Sequence, residues 1–238
     1  MNFWRSSFQS VAANLACDEV MLAHVESTGE AWLRTWFPQS TAVVLGYANR
    51  YRQEILLDIC RNEDIAVRRR MSGGGCVVLL PGCLCYSLTL PIVAGTPFQR
   101  ISSTNRFIME THRHALEDLA QQPVSIEGVT DLSLNGRKFS GNSQKRRRNA
   151  LLFHGTILYQ ADLALLSRCL AHPPTEPDWR KNRPHERFVG NFHFDRDAIE
   201  GALKASWSAH SHSEPELGSQ VEQLSQAKYE QDSWTFSR

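Results

Sequence analysis

Arg69-Arg70-Met71-Ser72-Gly73-Gly74-Gly75 sets two guanidinium groups directly ahead of three glycines. Glycines lack Cβ, so the backbone can press against a ligand and aim several N–H groups at it. Arginines beside such a loop suit a phosphate or a carboxylate. No Gly-Lys-Ser/Thr closes the loop and no G-x-G-x-x-G spacing is present, so a P-loop and a dinucleotide fingerprint are both excluded. A flexible turn is the plainer reading of the same triplet.

Three further groups carry potential chemistry. Lys138 follows a tight Asn135-Gly136 turn and precedes Ser140-Gly141-Asn142. An ammonium held in a cleft can stabilise a carboxylate or a departing phosphate, whereas the plain alternative is an exposed hairpin lysine. His154, in Phe153-His154-Gly155-Thr156, lies within an apolar strand and reads as a catalytic base or as a satisfied core histidine. Lys145-Arg146-Arg147-Arg148 is a run of four cations. The chain carries 26 Lys and Arg against 25 Asp and Glu, a formal net charge of +1, so it is not a nucleic-acid or membrane-surface polycation. The run is then a solvated loop or a contact for an acidic protein partner.

The elements that must position these groups follow from periodicity. Helices are expected over 12–25, 53–62, 101–120, 162–170, 197–206 and 221–231. Strands are expected over 31–37, 41–45, 65–67, 76–80, 84–90, 131–134, 137–140 and 150–159. In the first helix Leu15, Val20, Leu22 and Ala23 make the apolar face, and Asp18 and Glu19 the polar one. In the helix over 101–120 the expected buried stripe is Phe107, Ile108, His114, Ala115 and Leu119. Pro81-Gly82 predicts a hairpin between 76–80 and 84–90, and Asn135-Gly136 predicts another. Residues 173–191 form a Pro- and Arg-rich excursion in which Arg180 or Arg183 can approach a phosphate, and 210–218 reads as a loop. This irregular order with hairpins gives an α+β class: a mixed, largely antiparallel sheet flanked by helices. Residues 1–207 read as one catalytic domain, and 208–238 as a loop plus C-terminal helix packing back on it.

In this order the motifs resemble the lipoate-protein ligase family, part of the biotin and lipoate ligase and octanoyltransferase group. Asn14-Leu15-Ala16-Cys17-Asp18-Glu19, Val44-Leu45-Gly46, Arg69 to Gly75, Asp131-Leu132 with Gly136-Arg137-Lys138 and Ser140-Gly141-Asn142, His154-Gly155-Thr156, and Lys228-Tyr229 with Trp234 carry it. The resemblance implies a biotin/lipoyl protein ligase catalytic-domain fold and activation of an acid by ATP to an acyl-adenylate, with transfer to a carrier lysine. It implies that Arg70, Gly73, Gly74, Gly75, Cys76, Val77 and Val78 hold nucleotide, that Lys138 is the catalytic residue and contacts nucleotide and acyl carbonyl, and that Asp131 sits by the adenylate or its Mg2+. Gly75, His154 and Gly155 join Lys138 as the substrate-binding residues. The implied partners are lipoic or octanoic acid, lipoyl carrier domains (2-oxoacid dehydrogenase E2 subunits, glycine cleavage H protein) and a separate accessory chain. The chain ends soon after Trp234, which reads as a short form lacking the C-terminal accessory domain.

The sequence departs from the family pattern after the glycines. Leu79-Leu80 stands where the family has His-Asp, and Cys83 and Cys85 where it has Asn. Two rivals follow: an octanoyl or lipoyl transferase working through a cysteine thioester without ATP, and a non-catalytic carrier-binding member. Six Cys without a C-x-x-C pair read as free thiols of a reducing cytoplasm. The N-terminus lacks the apolar stretch of a secretory signal, and no apolar run is long enough to span a bilayer.

Overall fold

The structure is a computed structural model that describes every residue except Ser7, Pro174, His212 and Ser213. The expected loop over 210–218 and the excursion over 173–191 therefore fall partly outside the described residues. The chain runs β1 (Asn2–Arg5), α1 (Val11–Thr28), β2 (Trp32–Trp36), β3 (Ala42–Leu45), α2 (Tyr51–Glu54), α3 (Leu57–Asn62), β4 (Ala66–Arg69), β5 (Val77–Leu79) and β6 (Cys83–Pro91). It continues through α4 (Ile101–Ala120), β7 (Val124–Glu127), β8 (Asp131–Leu134), β9 (Arg137–Arg146), β10 (Ala150–Leu158), α5 (Ala164–Cys169) and α6 (His185–Phe188). It closes with α7 (Arg196–Ser206), β11 (His210–Ser211), α8 (Gly218–Leu224), a π-helical turn over Ser225–Tyr229 and α9 (Asp232–Thr235).

Eight strands form one sheet in the order β11-β1-β2-β6-β10-β9-β8-β7, and three form a second in the order β4-β3-β5. The β11–β1 and β1–β2 pairs are parallel and the rest of the large sheet is antiparallel. The class is therefore the mixed α+β sheet expected. Both faces of the large sheet are covered. Along β6, Cys83 and Cys85 join a core shared with α1, the small sheet and the C-terminal helices, while Leu84, Tyr86, Leu88 and Leu90 join a core shared with α4 and α7. Period-2 alternation buried on both faces explains why this strand reads as a continuous apolar run.

Several expectations are corrected. Strands β5 and β6 are not a hairpin: β5 pairs with β3 in the small sheet, while β6 pairs with β2 and β10 in the large one. Pro81-Gly82 makes the turn, but the chain uses it to step between sheets. In α4 the buried positions are Thr104, Ile108, Met109, His112, Leu116 and Ala120, so of the expected stripe only Ile108 is buried. His112 points inward because the Trp207 indole donates to its ring at 2.8 Å and Tyr86 stacks on it edge-on. In α1, Asp18 is buried, for the reason given below.

The helix expected over 53–62 is broken into α2 and α3, β1 and β7 are strands beyond those expected, and the cationic run 145–148 begins inside β9, where Arg146 donates to Phe98 O, rather than forming a loop throughout. Local signals hold at several other sites. Helix α1 is capped by the Ser10 side chain and stopped by left-handed Gly29. Asn135 and Gly136 both take positive φ, 52° and 73°, as the two-residue hairpin between β8 and β9 requires. The C-terminal helices lie against α1, where the Glu19 carboxylate accepts from Lys228 Nζ and Tyr229 OH, each at 2.6 Å.

Candidate active site

Lys138 sits where β9 breaks register with β8. Ser133 pairs with Lys138 but Leu132 pairs with Ser140, so the β-bulge re-aims the lysine. Its ammonium lies 2.7 Å from Asp131 Oδ1. Asp131 is the cross-strand partner of Gly141, and a Cβ at 141 would come within 2.9 Å of Lys138 Nζ. The glycine is thus the space into which the lysine folds. The same logic holds one strand over. Gly155 pairs with Asn142, and a Cβ there would lie 1.7 Å from Asn142 Oδ1. The Asn142 amide donates to Thr130 O at 2.7 Å and its oxygen accepts from Tyr86 OH.

A cavity of about 570 Å³ opens beside this pair. Its apolar wall includes Leu15, Trp36, Val44 and Leu79, and its polar lining includes Lys138, Asp131, Asn142, His154 and the Gly74–Gly75 loop. Among the expected site residues, Arg70, Gly74, Gly75, Cys76, Val77, Asp131, Lys138, His154 and Gly155 line one cavity; Gly73 and Val78 do not. The exposed Gly73, Gly74 and Gly75 donate no backbone N–H to a protein acceptor among the described residues. These N–H groups are available to a ligand.

The two arginines before the glycines build the loop. Arg69 is fully buried; its Nε donates to Thr235 O at 2.9 Å and its Nη1 to Gly46 O at 2.7 Å. Arg70 donates from Nη2 to Gly73 O and to Gly75 O at 2.8 Å, from Nη1 to Val44 O and from Nε to Ser72 Oγ. In this arrangement the Arg70 guanidinium is spent on the loop's own carbonyls and fixes the N–H groups outward. Asp131 is equally committed, since its second oxygen accepts from Trp179 Nε1 at 3.3 Å. Each Asp131 oxygen thus has one partner, and no group of three metal-ligating side chains occurs among the described residues.

His154 is held from both sides. Nδ1 lies 2.7 Å from Asp18 Oδ2, and Nε2 is hydrogen-bonded to Ser72 Oγ. An ionised carboxylate only accepts, so Nδ1 carries the proton, and in the neutral ring Nε2 accepts from the Ser72 hydroxyl. Asp18 Oδ1 accepts from Arg34 Nη1 at 3.0 Å, and Arg34 is itself buried and bonded to Ser6 and Asn14. One polar chain, Arg34–Asp18–His154–Ser72–Arg70, runs from β2 through α1 and β10 to the glycine loop. Burial pushes the Asp18 carboxyl up, but the His154 hydrogen bond and the charges of His154 and Arg34 outweigh it and hold it below the usual carboxylate range. Asp18, Ser72, Asn142 and Trp179 were not among the expected site residues. The signal for Asp18 was present in the sequence: a carboxylate on the inner side of a helix whose neighbours Leu15 and Leu22 are apolar.

All six cysteines are free thiols. Burial first, then Glu54, pushes the Cys76 thiol up to about 12. Burial and neighbouring Cys83 raise the Cys85 thiol well above its ordinary value. Leu79 and Leu80 are buried in the core, so apolar side chains fill the positions that carry His and Asp in the resembled pattern, and Leu79 lines the cavity.

Residues 10–192 match the family model for the lipoyl protein ligase A/B catalytic domain. This chain belongs to the lipoyl protein ligase A/B catalytic-domain family. A probable lipoate-protein ligase A from Mycoplasma pneumoniae is 26% identical over 66% of this chain and 45% of its own length. The chain thus spans about half the length of the lipoate-protein ligase A relatives it matches. The octanoyltransferase LipM of Geobacillus kaustophilus is 26% identical over 99% of this chain and 98% of its own. A putative lipoate protein ligase from Thermoplasma acidophilum with bound lipoic acid shares the fold at TM-score 0.84 and 20% identity, over 100% of both chains. A lipoate-protein ligase A bound with ATP shares it at TM-score 0.81 and 22% identity, over 99% of each.

Proposed function

We propose that this protein is an ATP-dependent lipoate-protein ligase. It joins lipoate, or a similar medium-chain acid such as octanoate, to AMP and passes the acyl group to a lysine of a lipoyl carrier domain. The observation that carries the proposal is one cavity lined by both the Lys138 ammonium and the glycine loop, whose N–H groups have no acceptor among the described residues. The thiolate is the nucleophilic form of cysteine, so Cys76 and Cys85 are poor acyl acceptors at neutral pH. An adenylate needs no enzyme nucleophile. The carboxylate displaces pyrophosphate from the α-phosphorus, and the carrier amine then displaces AMP from the acyl carbon.

The residues present fit such a substrate pair. Lys138, balanced by Asp131 until ligand arrives, supports the negative charge that develops on the leaving phosphate. The N–H groups of Gly74 and Gly75, which line the cavity, form the candidate phosphate-facing edge, with Gly73 before them and Cys76, Val77 and Val78 leading from it into β5, and Arg70 holds the loop's shape. His154 and Gly155 shape the floor. The wall of Leu15, Trp36, Val44 and Leu79 suits an aliphatic chain and excludes water from the anhydride. Magnesium has no preformed ligand set among the described residues, so on this reading it enters with the nucleotide. The carrier would be a lipoyl domain of a 2-oxoacid dehydrogenase E2 subunit or the glycine cleavage H protein, in the cytoplasm. A bi-partite lipoate protein ligase from Thermoplasma acidophilum supports a separate accessory chain.

A second reading, octanoyl transfer without ATP, draws on the LipM relative that aligns over nearly the whole chain. Isotope exchange separates the two. Labelled pyrophosphate should enter ATP only when lipoate or octanoate is present, with no carrier needed. Absence of acid-dependent exchange, with and without an accessory chain, overturns the ligase reading.

A further inference from the structure

The segment between α5 and β11 lays two arginines against the β8–β9 hairpin, and they differ in how they are used. Arg183 is fully employed. Its Nε donates to Arg180 O at 2.9 Å, its Nη1 to Gly136 O at 2.8 Å and its Nη2 to Trp179 O at 2.9 Å, and it stacks on Trp179 and Phe188. It is a clamp. Arg180 is buried, 4% exposed, and lines the cavity. Its Nε donates to Arg183 O at 2.9 Å and lies 3.3 Å from Glu176 Oε2. Its Nη2 is buried and finds no hydrogen-bond acceptor among the described residues. Glu176 Oε2 is likewise buried and accepts no hydrogen bond.

A buried guanidinium with an unspent donor edge is costly to keep. It becomes favourable when an oxyanion completes it, because charge-assisted bonds from Arg to carboxylate or phosphate are among the strongest available. The other cations at the cavity are engaged: Arg70 with loop carbonyls and Lys138 with Asp131. The neighbouring Trp179 holds Asp131, so the turn that presents Arg180 is anchored on the lysine's counter-ion.

We propose that Arg180 is the anion-binding side chain of this cavity, its guanidinium turning from Glu176 so that the unpaired Nη2 takes an oxyanion oxygen of the bound substrates, with Glu176 as the internal competitor. The proposal rests on the reading of the cavity as an acyl-activating site. The oxyanion is the carboxylate of the acid or a phosphate of the nucleotide. Titration calorimetry on the full chain separates these sources, using lipoate against neutral lipoamide and ATP against neutral adenosine.

Arg180→Met should weaken lipoate or ATP at least tenfold, with Arg180→Lys intermediate and the matching neutral ligand unchanged. Loss confined to lipoate assigns the carboxylate, and loss confined to ATP assigns the phosphate. Glu176→Gln, which frees the guanidinium, should bind the same anion severalfold more tightly, and decides the matter if Arg180→Met fails to fold. Unchanged anion binding in Arg180→Met, equal loss of the charged and neutral ligands, or no gain in Glu176→Gln overturns the proposal and leaves the ligase reading standing. An unaltered protein that binds neither lipoate nor ATP overturns both.

Discussion

Replacing Asp18 by Asn removes the one charge that faces both Arg34 and His154. Arg34 is 1% exposed, and Asp18 Oδ1 lies 3.0 Å from its Nη1. With the carboxylate gone, the buried guanidinium keeps only neutral oxygens, those of Ser6 and Asn14 and the new amide's own. Breaking a buried pair from one side costs about 3–5 kcal/mol, chiefly because the remaining charge stays desolvated. At this chain length 1 kcal/mol moves the melting temperature by roughly 2–4 °C, so Asp18→Asn should melt about 6–20 °C lower at neutral pH. The pH dependence has a definite sign. The folded carboxyl sits below its ordinary value, so its stabilisation is complete above about pH 4 and is lost as pH falls through the folded value. The gap between wild type and variant should therefore shrink in acid. Scanning calorimetry at neutral pH and near pH 3 tests this. A variant within about 1 kcal/mol of wild type at neutral pH, or a gap that is constant into acid, would refute the reasoning. The double replacement Arg34→Met with Asp18→Leu should recover much of the loss.

Three further outcomes follow from the site. Lys138→Met should lower acyl-adenylate formation by about 10²–10³-fold while the melting temperature barely moves, because its ion pair is part-exposed; pyrophosphate release and calorimetry measure the two. The glycines should separate activity from stability. Gly141→Ala meets only the flexible end of Lys138, so it should stay folded yet lose about 10²-fold in rate by displacing the ammonium. Gly155→Ala strikes Asn142 and the Gly141 backbone and should cost about 1–3 kcal/mol by chemical denaturation. Cys76→Ser and Cys85→Ser should each retain transfer to a carrier domain, whereas a thioester route through either would be abolished.

The parts of this fold that depend on local chemistry were legible. Asn135-Gly136 dictates its own turn, and the expected helix over 101–120 is found at those bounds. The lysine hairpin, the glycine loop and the histidine strand were each found as segments, and the structure brings them to one cavity. What failed was partner choice. The Pro81-Gly82 turn looks the same whether the next strand pairs with the last or departs for another sheet, and β5 finds its partner β3 more than thirty residues upstream. The phase of α4 was misjudged because His112 is buried by a bond from Trp207, which lies 95 residues away in sequence. Arg69 and Arg70 looked like ligand-binding arginines because residue type does not reveal that nearby carbonyls are already their acceptors. Asp18 looked like a solvent-facing carboxylate because neither Arg34 nor His154 is near it in sequence.

The role proposed for Lys138 and the glycine loop is an ATP-dependent acyl transfer. Intact-mass analysis of a lipoyl carrier domain incubated with this protein and lipoic acid, with and without Mg-ATP, tests it most directly. A lipoyl mass increase is expected only in the presence of Mg-ATP, and none with Lys138→Met. A carrier that gains an acyl group from an acyl-carrier donor without ATP, and none from free lipoic acid with ATP, would contradict it.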